Sequence, residues 1–229
     1  SAGMAATEYV LMNQDIPVLD FTCRRNEFDE PEFFEGTWHV DYRPIGYRGL
    51  AAFLEHRKAP KHREHIRQLL EQYGCDDLEG FLQVTRALSL NDTFWVKRQG
   101  EVLRWRDVYL YTNPFSEVIS EAAFDGTVSE TDYSSTSPEF GTDGYYAKCW
   151  IREESGIKLY KSGSAFLEIE PLSEFLASQL AEGICRQAVL YDLDYYHGKL
   201  ISKCPLFTSE TVGLAKASAV FHGAEHTIP

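Results

Sequence analysis

Residues 142–174 read TDGYYAKCWIREESGIKLYKSGSAFLEIEPLSE, and the fold class turns on how this stretch divides. YYAKCWIR (145–152) and IKLYKSG (157–163) are rich in aromatic and β-branched residues and flank the turn signal Ser155-Gly156, so they read as a hairpin. A helical repeat follows, with Pro171 suited to the first turn and Leu172, Leu176 and Leu180 at a spacing of four, which predicts a buried stripe. Two more strands, AVLYDLDYY (188–196) and KLISKCPLFT (199–208), meet at the turn His197-Gly198. Adjacent hairpins with a single helix predict an antiparallel sheet carrying one packed helix, within an α+β chain.

Upstream, IPVLDF (16–21) reads as a strand, and the acidic segment Asn26 to Gly36 as a surface loop. Gly49 to Tyr73 has helical apolar spacing through Leu50, Phe53 and Leu54, then Ile66, Leu69, Leu70 and Tyr73, and Pro60 splits it into two helices. A further helix, Leu78 to Ala87, opens after the cap candidates Asp76 and Asp77, and Trp95 belongs in a core. Asn113-Pro114 marks a turn before a short helix reaching Phe124, and the polar run Asp125 to Pro138 reads as a loop or boundary. The expected division is therefore a disordered start at 1–6, a mainly helical region at 7–124, and a sheet-rich lobe at 125–208. Ser1 to Gly3, ahead of Met4, read as the remnant of a cleaved tag.

Composition narrows the function classes. A length of 229 residues, 44% hydrophobic and 14% aromatic, suffices for one sizeable core or two modest ones. A net charge of -13 argues against general polyanion binding, which needs clustered Lys and Arg. Five dispersed cysteines without a C-x-x-C pair fit reduced thiols and a cytoplasmic setting. No apolar run reaches the roughly 18 to 20 residues of a membrane span.

The chemistry begins at Lys161. With a period of two, Ile157, Leu159 and Lys161 share one face of their strand, and a lysine there calls for an anionic partner or for snorkelling from the strand end beside Gly163. On the helix, Glu174 lies on a face of small residues, Ala177, Ser178 and Ala181, which permits close approach to a sheet. Glu174 is therefore a candidate partner, with Glu168 and Glu170 competing. The loop Gly141 to Gly144, GTDG, can turn backbone N–H groups toward phosphate oxygens, and it is equally ordinary hairpin chemistry.

The order of these phrases resembles the small lobe of HipA-like serine/threonine kinases, in the bacterial subgroup with an N-terminal helical extension. SLNDTFWVK (89–97), RWRDVYLYTNPFS (104–116), the T-x-G turn at 142–144, KCW (148–150), LYKSG (159–163), EPLSEFLAS (170–178) and SKCPLFTSE (202–210) carry the likeness. It implies an ATP-facing lobe in which Thr142, Asp143 and Gly144 cover the phosphates, Lys161 contacts them, Glu174 pairs with Lys161, and Leu206 and Phe207 lie by the adenine. It also implies a protein substrate, with magnesium held only by a large lobe of which 209–229 would be the beginning. The family's D-R-H-x-x-N loop does not occur in this sequence. Phosphoryl transfer needs a base and metal ligands, so the expectation is a shortened form, inactive by itself.

Two other readings compete. Residues 53–67 hold five basic residues against two acidic ones, with His56, His62 and His65, which suits either a helix-turn-helix on DNA or a solvated face meeting an acidic protein. The same histidines make a zinc site only weakly, because their spacing crosses Pro60 and lacks a completing ligand.

Overall fold

The computed structural model describes residues 5–57, 71, 77–111, 148–163, 169–196, 198–215 and 217–222. The chain divides into two units, one holding the described residues up to 111 together with those from Thr208 onward, the other holding the described residues of 148–207.

The first unit is built on an antiparallel sheet of order β3-β2-β1-β4, formed by β1 (Thr7–Asn13), β2 (Ile16–Arg25), β3 (Pro31–Trp38) and β4 (Phe94–Arg98). The expected mainly helical region at 7–124 is thus sheet-centred in its described part. The run Tyr9-Val10-Leu11-Met12 is buried on both faces of the sheet as its inner strand, and the two-residue turn Gln14-Asp15 returns it directly into β2. Half of the expected surface loop at 26–36 is also strand: β3 begins at Pro31 and pairs with β2. Trp95 is fully buried, as its sequence context predicts, and donates its indole N–H to Gln14 O at 2.8 Å.

Helices α1 (Leu50–Arg57) and α2 (Leu78–Thr85) accompany this sheet. The Asp77 side chain caps α2 by accepting from Gly80 N at 2.8 Å. A single turn, α3 (Trp105–Val108), and a last short helix, α5 (Ala217–His222), complete the described part. Pro60 and the helix to Phe124 lie outside the described residues. Buried Glu79 is fully engaged, taking the Tyr9 hydroxyl at 3.0 Å and Arg25 Nη2 at 3.0 Å.

The second unit is a sheet of order β5-β6-β8-β7 with one helix, α4 (Ile169–Glu182). Its strands are β5 (Lys148–Glu153), β6 (Gly156–Ser162), β7 (Asp192–Tyr196) and β8 (Lys199–Pro205), all antiparallel neighbours. Both hairpins turn where the sequence signals them, with Gly156 at φ 120° and Gly198 at φ 76°, conformations that favour glycine. The α+β class therefore holds.

The helix α4 corrects one expectation. Leu172, Leu176 and Leu180 are 43%, 52% and 72% exposed, whereas Pro171 and Ser178 are buried. The side carrying Glu174 and Ser178 meets the sheet, Ala177 is exposed, and the leucines face out. Leu176→Gln is accordingly expected to leave stability within about 0.5 kcal/mol of the parent; a chemical-denaturation loss several times larger would show that the stripe is covered.

Candidate functional site

A polar cluster sits on the helix-bearing face of the second sheet. Strand phase puts Ile157, Leu159 and Lys161 on this face of β6, and the register sets Lys161 opposite Ser202 and Leu159 opposite Cys204. Glu174 and Ser178, one helical turn apart on α4, share the side that meets the sheet. Lys161 Nζ lies 2.8 Å from Glu174 Oε1 and donates to the Tyr191 hydroxyl at 2.9 Å. The second Glu174 oxygen accepts from the Ser202 hydroxyl. Tyr191, just ahead of β7, places its ring centroid 4.9 Å from the ammonium.

The electrostatics follow from these contacts. Burial pulls the Lys161 ammonium down, and the hydrogen bonds to Glu174 and Tyr191 more than offset it, so its pKa stands above the usual lysine value. The same burial pushes the Tyr191 hydroxyl and the Cys204 thiol up, keeping both neutral near pH 7. An ammonium carries three donors. Glu174 and Tyr191 take two, and among the described residues no side chain takes the third.

Of the residues singled out in the sequence, Lys161 and Glu174 are brought together, and Glu174 fills the role for which Glu168 and Glu170 competed. Leu206 extends β8 by one rung, its N–H donating to Ile157 O at 2.9 Å. It stands four strand positions from the Lys161 level, a separation of about 13 Å along the sheet. Leu206 is half-buried and Phe207 is 39% exposed. Thr142, Asp143, Gly144 and Glu168 lie outside the described residues. Sequence reasoning missed Tyr191 and Ser202. Ser202 was reachable, because the register of the paired strands puts it beside Lys161; Tyr191 fell within the expected strand 188–196, but β7 begins only at Asp192, so the strand phase does not govern it.

The opposite face of the sheet has a separate cluster. Lys203 Nζ meets Asp194 Oδ2 at 2.8 Å and Glu153 Oε1 at 3.2 Å, and Tyr160 donates to Glu153. Hydrogen bonding to Lys203 holds the Asp194 carboxyl below its ordinary range.

The basic segment at 53–67 is only partly described. Its Arg57 is 7% exposed and forks onto Asp92 at 2.7 and 2.8 Å while donating to Ala87 O and Phe94 O. That guanidinium is an internal tie, four of its five donors being spent on Asp92, Ala87 and Phe94. His56 is exposed, and His62 and His65 lie outside the described residues. Among the described residues no three His, Cys, Asp or Glu side chains gather as a metal would require, and no helix is long and apolar enough to cross a membrane. No family model matches the chain, and no curated protein matches it either.

Proposed function

We propose that the second unit is the nucleotide-facing lobe of a HipA-like kinase and binds ATP through Lys161. The observation that carries this reading is the 2.8 Å pair between a strand lysine and a helix glutamate, with one ammonium donor left over among the described residues. Protein kinases use a strand lysine on the nucleotide phosphates and a helix glutamate to hold it.

The face on which Lys161 lies gives further support. It runs from the polar cross-strand pair Lys161 and Ser202, through Leu159 and Cys204, to Ile157 and Leu206. At its polar end the Lys161 side chain keeps 24% exposure, while Leu159, Cys204 and Ile157 beside it are buried. Leu206 and Phe207 would meet the adenine, and Thr142 to Gly144 the phosphates. The reading concerns binding, since the D-R-H-x-x-N loop that would support transfer and hold magnesium is not in this sequence.

Isothermal calorimetry with ATP provides the test. Lys161→Ala is expected to weaken binding at least about tenfold, the equivalent of one charged hydrogen bond. Equal affinity in the two proteins, or no binding by the parent chain, would overturn the reading.

A further inference from the structure

We infer that Tyr191 is a positioning residue for Lys161, fixing the direction of the one ammonium donor that, among the described residues, remains for a phosphate oxygen. The inference rests on the nucleotide reading above and assigns part of that site to a residue outside the sequence-derived set.

A lysine side chain is a flexible stem ending in a rotatable charge. One acceptor, Glu174, fixes a single N–H direction and leaves the ammonium free to swing about that bond. A second acceptor removes the swing. The Tyr191 hydroxyl accepts from Nζ at 2.9 Å, and tetrahedral geometry at nitrogen then leaves only one direction for the third N–H. The two acceptors are themselves held. Glu174 is anchored by Ser202 through its other oxygen. Tyr191 is anchored through its backbone N–H, which donates to Ser178 Oγ at 3.0 Å, while Ser178 Oγ donates to Phe175 O at 2.8 Å.

Glu174 and Ser178 sit one turn apart on α4, so one helix face registers both acceptors, the first directly and the second through Tyr191. The tyrosine ring adds a contact a simple hydroxyl lacks, lying within reach of the ammonium for a cation–π interaction. Tyr191→Phe therefore isolates the orienting hydroxyl, keeping the ring, the backbone clamp and the Glu174 ion pair.

Two readouts on the full chain test the assignment. The first is the 15N signal of the Lys161 NζH3+ group, visible when a doubly bonded ammonium exchanges slowly with water. The second is calorimetric ATP affinity. Tyr191→Phe is expected to lose the ammonium signal and to weaken ATP binding about tenfold, while the backbone amide spectrum of the sheet stays in place. Ser178→Ala, which loosens the clamp and leaves the hydroxyl, is expected to weaken the signal and reduce affinity about threefold, and it decides the matter if Tyr191→Phe does not fold. A Tyr191→Phe protein with the parent's ammonium signal and an affinity within about twofold of the parent overturns the inference. If the parent chain binds no ATP, the nucleotide reading fails by itself; loss of the Lys161 signal in Tyr191→Phe would still uphold the orienting role.

Discussion

Arg57→Ala is expected to destabilise the first unit by about 3 to 5 kcal/mol, the range for removing one partner of a buried ion pair. The guanidinium makes four hydrogen bonds, two to Asp92 and one each to the carbonyls of Ala87 and Phe94, and stands over the Phe53 ring at 5.2 Å. Truncation would strip all of these at once. Asp92 is 31% exposed, so water partly recovers its charge, but the buried backbone carbonyl of Ala87 has no such relief. Lysine is a poor substitute because it lacks the planar fork, so Arg57→Lys should lose more than half as much. Urea denaturation followed by tryptophan fluorescence would measure both, since buried Trp95 reports on this unit. A loss under about 1 kcal/mol would mean that the guanidinium is free to serve an outside partner, and would revive a DNA or acidic-protein role for the basic segment.

Glu174→Ala should cost the second unit about 2 kcal/mol, near the middle of the range for hydrogen bonds to charged groups. A larger figure is not expected, because the Lys161 and Glu174 side chains retain 24% and 34% exposure. The loss has two parts: the ammonium keeps only the Tyr191 hydroxyl, and the Ser202 hydroxyl loses its acceptor. Adding Lys161→Ala removes the stranded charge, so the double variant should be no less stable than Glu174→Ala. A cycle of the two single variants and the double variant isolates the coupling, with about 1 kcal/mol expected. Strict additivity in that cycle would show that the pair contributes nothing as a pair.

The legibility of this chain differed by region for physical reasons. In the second unit, turn chemistry and β-rich segments are local signals, so four strands and one helix were readable, including the phase that aims Lys161 toward Glu174. The outward stripe of α4 was not readable, because leucine spacing records amphipathicity and cannot say which side meets the sheet. In the first unit the error had a related origin. Tyr9 to Met12 is apolar at every position, since an inner strand is buried on both faces, and such a run lacks the alternation that announces a strand. The adjacent helical periodicity at 49–73 was stronger and dominated the reading. Tyr191 was read as part of a strand at 188–196, but it acts from just ahead of β7, where strand phase no longer sets side-chain direction.

The way the first unit is closed has a consequence for synthesis. Thr208 donates to Leu90 O, Leu214 N donates to Asn91 O at 2.7 Å, and Glu210 accepts from the Trp105 indole. These bonds join residues more than 100 positions apart in sequence, with the described part of the second unit encoded between them. On the ribosome the first sheet therefore emerges early and waits, its last contacts lacking their partners until residue 214 has been made. The lobe bearing Lys161 is complete in sequence before the unit that precedes it can finish folding.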